Sequence, residues 1–196
     1  MSEAPDIVAL VGSRICHDLA SPLGAIGNGL ELMTLSGVEE TPEMALVNES
    51  LKGARGRIAF FRIAFGSAHD GDIVRAGEMA EALSALGARK LAMDWRLSGD
   101  MPRRDAKLVL LAVNCLETSM PFGGRISVTS ADGRFLATGA AECFNVDDQA
   151  WAVMGGGPTT DITPAQVQFA LLAEEIARQN RRLDHTSDAG QITLRF

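Results

Sequence analysis

Between residues 8 and 33, apolar side chains recur every three or four positions: Val8, Val11, Ile15, Leu19, Leu23, Ile26, Leu30 and Met33. This spacing predicts one stripe of a helix running from about Asp6 to Ser36. Gly37 ends it, and Glu39-Glu40-Thr41-Pro42-Glu43 reads as a short turn with Thr41 as cap and Pro42 at the first helical position. A second helix carries Met44, Val47, Leu51, Ala54, Ile58, Phe61 and Phe65 in alternating steps of three and four, a heptad-like seam. So short a connection makes the two helices antiparallel neighbours. A lone hairpin cannot bury two long stripes, whereas two copies would close them into a four-helix bundle, so a homodimer is expected.

The pattern changes at Ser67-Ala68-His69-Asp70-Gly71-Asp72. Ala76, Met79, Ala80, Leu83 and Leu86 outline a helix, and Leu91, Met93, Trp95 and Leu97 alternate as in a half-buried strand. Asp105 to Thr118 reads as a buried helix stopped by Pro121-Phe122-Gly123-Gly124. Arg125 to Thr129 predicts a strand, and Asp132-Gly133 a hairpin turn into another through Phe135 and Leu136. A short helix from Asp148 to Met154 precedes Gly155-Gly156-Gly157, which reads as a flexible loop. Thr163-Pro164 starts a helix through Phe169, Leu172, Ala173 and Ile176. A last hairpin places Asp188-Ala189-Gly190 between Arg182-Leu183-Asp184 and Ile192-Thr193-Leu194. The expected class is therefore α+β, with a helical-hairpin domain over residues 1–70 and a small α/β layer domain over residues 71–196.

Composition narrows the function. Apolar residues make up 46% of the chain and charged residues 22%, as in ordinary globular proteins. A net charge of −7 without any basic run argues against nucleic acid as a partner. The apolar runs are too short and interrupted to span a bilayer. Met1-Ser2-Glu3-Ala4-Pro5-Asp6 lacks the positive start and apolar block of a signal peptide. The three cysteines, Cys16, Cys115 and Cys143, are scattered without metal spacing and read as reduced thiols. A cytoplasmic setting is expected.

One residue stands out as candidate chemistry. His17 lies two positions from both Ile15 and Leu19, so it points away from the apolar stripe. Its own face carries Ser13, Arg14, Ala20, Ser21, Gly24 and Asn28, all small apart from Arg14. A helix that places glycine and serine there gives up intrinsic stability and gains room around one imidazole. Pro22 removes one backbone bond just past the histidine and should kink the helix. Cys16 reads as structural, and His69 and His185 as incidental.

His17-Asp18-Leu19-Ala20-Ser21-Pro22-Leu23 resembles the H-box of two-component histidine kinases, His-Asp/Glu-x-x-x-Pro-Leu. The order of parts is similar too: H-box helix, turn, seam helix, α/β domain. Leu108 to Glu117 falls where a kinase has its N-box, with Asn114 at the asparagine position, here a structural relic. The departures matter more. Gly139-Ala140-Ala141-Glu142-Cys143-Phe144 stands where Asp-x-Gly-x-Gly is expected, and Thr163-Pro164-Ala165-Gln166 replaces the second glycine box that would hold phosphates. An H-box hairpin joined to a degenerate kinase-ATPase-like domain is similar to the ChpT-type histidine phosphotransferases of alphaproteobacterial phosphorelays.

That resemblance implies a dimeric shuttle between two response-regulator receiver domains, that of a hybrid kinase and that of a downstream regulator. It implies no ATP and no cofactor on this chain, because the receiver brings its own aspartate, lysine and Mg²⁺. His17 would accept the phosphoryl group, and an imidazole is largely neutral and nucleophilic near pH 7. Asp18 would either hold the other ring nitrogen, as the resemblance implies, or be solvated, since adjacent helical residues do not face one another. Ser13, Arg14, Ala20, Ser21, Gly24 and Asn28 form the candidate docking face. Arg14 would pair with an acidic receiver rim or stay solvated, and Ser21 would give access. Phe60 is either an exposed anchor or bundle packing. Two rivals stand beside the shuttle: a kinase core with drifted ATP motifs, and an adaptor that docks a receiver without taking phosphate.

Overall fold

The computed structural model describes residues 6–87, 90–160 and 162–196. Residues 1–5, read above against a signal peptide, lie outside the described residues. Helix α1 spans Ile7–Leu35 and α2 spans Pro42–Ala64, with Thr41 accepting the Met44 N–H at 3.3 Å as cap. Gly37 at φ +83° lets the chain leave α1, a backbone state glycine enters without steric cost.

The two helices pack differently from the expectation. Val8, Val11, Ile15, Leu19, Ile26 and Met33 are exposed on α1. The buried and half-buried positions include Ala9, Gly12, Cys16, Leu23 and Gly27, of which Leu23 alone belongs to the expected stripe. A Cβ on Gly12 would lie 3.5 Å from the Phe65 Cβ, and one on Gly27 would lie 3.3 Å from Leu51. Small residues let the helix axes approach, and the large apolar ones are left on a second face. On α2 the fully buried positions are Gly56, Ala59, Phe60, Ile63 and Ala64, one helical face set apart from the expected seam. Met44, Leu51, Ala54, Ile58, Phe61 and Phe65 are only half-buried, and Val47 is exposed.

Strand β1 (Ile73–Val74) pairs antiparallel with β3 (Met101–Pro102), a two-stranded piece that no periodicity signalled. Helix α3 spans Ala76–Gly87 and β2 spans Leu91–Trp95. Helix α4 (Arg103–Ser119) is buried almost throughout. It leads through Gly123 and Gly124, both with positive φ, into β4 (Gly124–Ala131). Strand β5 (Arg134–Ala140) follows across Asp132 and Gly133, both at positive φ as a two-residue hairpin requires. Helix α5 is Asp148–Met154; a single 3₁₀ turn, Pro164–Gln166, precedes α6 (Val167–Arg178). Strands β6 (Asp184–Asp188) and β7 (Gln191–Arg195) complete a five-stranded sheet ordered β2-β4-β5-β7-β6, with only β2–β4 parallel.

The fold is thus α+β, a helical hairpin followed by a sheet layered with helices. One core runs through both: Ala59, Phe60, Ile63 and Ala64 of α2 join Leu108, Leu111 and Leu116 of α4 and Ile126, Val128 and Leu194 of the sheet. Arg57 reinforces the junction by donating to both carboxylate oxygens of buried Glu117, at 2.7 and 3.1 Å.

The start of α1 is tied to the same body. Asp6 caps the helix by accepting the Ala9 N–H at 2.9 Å, and Arg178 of α6 lies 3.4 Å from its other oxygen. The capping bond, with Lys107 and Arg178 nearby, holds the Asp6 carboxyl below its ordinary value of 3.8. Its stabilisation is therefore present above that ordinary value and is lost as pH falls through the lowered folded one. Asp6→Ala is expected to cost about 1 kcal/mol at pH 7. Asp6→Asn keeps the cap and should lose less stability than the wild type between pH 7 and pH 3. Urea denaturation at both values checks this.

Candidate functional site

His17 sits about a third of the way along α1 with its side chain 82% exposed. The hairpin's pairing places it level with the Phe60–Arg62 stretch of α2, since Gly12 lies against Phe65 and Gly27 against Leu51. The neighbouring Cys16, about 100° round the helix, faces the interior. Burial pushes its thiol up, which leaves little thiolate to act as a nucleophile. The two adjacent residues therefore divide: one is packing, the other is presented to solvent.

The imidazole has a partner. Nδ1 of His17 lies 3.3 Å from Oδ1 of Asp18. The other carboxylate oxygen, Oδ2, accepts Nε–H of Arg14 at 2.8 Å. Asp18 is thus shared between residues one position and one turn before it. With Nδ1 donating to Asp18, Nε2 keeps its lone pair, on a ring that is largely exposed. Helix α1 continues through Pro22, which has no N–H to give to the Asp18 carbonyl one turn earlier.

The surrounding face is mostly as the spacing places it. Arg14, Ala20, Ser21 and Asn28 are exposed, and Gly24 has nothing within 4 Å of a Cβ built on it. Ser13 departs from the expected set. It is half-buried, its Oγ 3.2 Å from a Cβ built on Gly66, so it lines the junction with the end of α2 rather than the open face. Leu10, 49% exposed and one heptad before His17, stands on the histidine's face instead. Its signal was the seven-residue spacing from His17 itself. Phe60 is fully buried, which resolves it as packing.

At the end of α4, Ser119 Oγ accepts Nε1–H of Trp151, and Thr118 Oγ1 accepts from Gln168. Trp151 is buried there against Phe169, with its indole ring 5.6 Å from that of His185. Asn114 is buried on the same helix. No helix among the described residues is long and apolar enough to cross a membrane.

Comparison with known proteins decides what this arrangement belongs to. Residues 76–191 match the histidine phosphotransferase C-terminal domain. The chain is 33% identical over 183 residues to the protein phosphotransferase ChpT of Brucella abortus (strain 2308), covering 88% of this chain and 87% of that protein. It belongs to the ChpT-type histidine phosphotransferase family. A solved bacterial phosphotransferase agrees, superposing with a TM-score of 0.69 at 28% identity over 100% of this chain and 97% of the other.

The protein is accordingly a histidine phosphotransferase of a phosphorelay, a transferase rather than an ATP-dependent kinase. The matched domain begins at α3, so it covers the sheet layer and lies outside the hairpin that carries His17. The full-length likeness takes in the hairpin as well.

Proposed function

We propose that His17 is the phosphoryl carrier and that it exchanges phosphate with the aspartates of receiver domains. The observation behind this reading is an exposed imidazole whose Nδ1 is engaged by Asp18. A phosphoryl group needs in-line approach and charge stabilisation more than covalent help. The receiver's Mg²⁺ and lysine would supply that stabilisation, and this chain supplies the nucleophile. Nε2 attacks phosphorus, the N–P bond forms, and the P–O bond to the receiver aspartate breaks. The aspartate leaves as carboxylate. The positive charge left on the ring is held by its Nδ1–H donating to Asp18. Transfer to the next receiver reverses these steps.

Ala20, Ser21, Gly24 and Asn28 form the floor on which a receiver helix rests, with Leu10 and Arg14 at its upper end. The exposed stripe through Val8, Ile15, Leu19, Ile26 and Met33 supports a homodimer closed as a four-helix bundle, on the face of α1 opposite His17. A cytoplasmic setting belongs to this proposal, and the free thiols of Cys16, Cys115 and Cys143 among the described residues are compatible with a reducing compartment. No cofactor is proposed on this chain.

A phosphorylated receiver domain with Mg²⁺ tests the reading. Radiolabel should pass to the wild type and not to His17→Ala, and labelled ATP with Mg²⁺ should give none. Label on the alanine variant would refute the assignment of His17. Label from ATP alone would mean that the chain works as a kinase. A His17→Ala protein that still binds the receiver and supports output would favour an adaptor.

A further inference from the structure

Adjacent residues on a helix diverge by about 100°, so Asp18 should not reach His17 unaided. Here it does, and the reason is visible one turn back. Arg14 is four residues before Asp18, the spacing at which helical side chains meet, and it holds Oδ2 at 2.8 Å. That bond pulls the carboxylate back along the helix, and its free oxygen, Oδ1, comes to lie 3.3 Å from His17 Nδ1. Arg14 is itself largely exposed, and its Nε–H is the group that holds Asp18.

We propose that Arg14 is a positioning residue: by fixing the Asp18 rotamer, it selects the His17 tautomer whose Nε2 is the nucleophile. This rests on the reading of His17 as carrier. A histidine's tautomer follows the hydrogen bond its other nitrogen makes, so a change at position 14 reaches the reacting atom through Asp18. The pair is exposed, and exposed i,i+4 pairs bias populations only modestly. The expected effect is accordingly small and sensitive to salt.

The test is a nitrogen NMR spectrum of the full-length protein with labelled histidine, recorded where the imidazole is neutral, together with transfer rates from a phosphorylated receiver. Arg14→Gln should lower the Nδ1–H fraction of His17 and slow transfer by about two- to fivefold at low ionic strength. Both differences should close near 1 M salt, where the screening length is about 3 Å. Arg14→Lys should restore most of each, and Arg14→Gln should add nothing in an Asp18→Asn background. An unchanged tautomer in Arg14→Gln would overturn the proposal, as would an equal slowing with Asp18 already replaced. The spectrum needs no phosphate, so it separates this inference from that of His17 as carrier.

Discussion

Phe60→Ala is expected to destabilise the fold by about 3–5 kcal/mol, among the largest effects of any single substitution in the chain. Phe60 is fully buried, meets Phe61 edge-on at 6.1 Å, and lies under the Arg57 guanidinium at 5.6 Å. It belongs to the core that α2 shares with α4 and the sheet, so the cavity would open where the hairpin is anchored. The half-buried Phe61, one residue on, should cost clearly less when truncated. Urea denaturation of the two variants compares them. A loss below about 1 kcal/mol for Phe60→Ala, or the reverse order, would show that the hairpin is anchored elsewhere.

The second large effect concerns assembly. Ile15 and Ile26 are 53% and 48% exposed within a single chain, on the face of α1 opposite His17 and beside the one that packs on α2. The double variant Ile15→Glu, Ile26→Glu should leave the chain folded, because neither side chain belongs to its core. In a bundle of two copies it would bury four carboxylates without partners, each at a cost of several kcal/mol. Dimer affinity should fall by more than about a thousandfold, a difference of about 4 kcal/mol. Sedimentation should then give a monomer with the wild-type helical circular dichroism. A variant that remains dimeric would place the contact on another face.

Much of this fold was legible in the sequence because its punctuation is strong. Gly37, Thr41-Pro42, Asp132-Gly133 and Thr163-Pro164 each stand at a break or start in the structure. The helix faces were harder to read. A periodicity built on large apolar residues pointed to Val8, Ile15 and Ile26, whereas the buried residues of α1 are Ala9 and Cys16 and its close approaches to the α2 segment are made at Gly12 and Gly27. Close helix approach selects for what a side chain lacks, and hydropathy scores that weakly. The same blindness hid Gly56, which meets α3 so closely that a Cβ there would lie 2.8 Å from Ser84 Oγ. The two-residue strands β1 and β3 are too short to carry any period.

At the site, the histidine, its small-residue face and its exposure followed from position alone. The contact between His17 and Asp18 did not, since the rule that neighbours on a helix diverge weighed against it. What overrode the rule was the Arg14–Asp18 pair at i,i+4, a pattern present in the sequence, where Arg14 was read as a docking charge or a solvated one. Ser13 was assigned to the face by spacing, and its neighbourhood at Gly66 draws it into the junction. Leu10 was overlooked on a face where only small and polar side chains were sought.

The central claim is that the phosphoryl group rides on one nitrogen of one histidine. The chain has three histidines, so the assignment is direct. After reaction with a phosphorylated receiver, phosphorus–nitrogen coupling in the protein with labelled histidine should appear at Nε2 of His17, with Nδ1 still bearing a proton. Coupling at Nδ1, or at His69 or His185, would contradict the account.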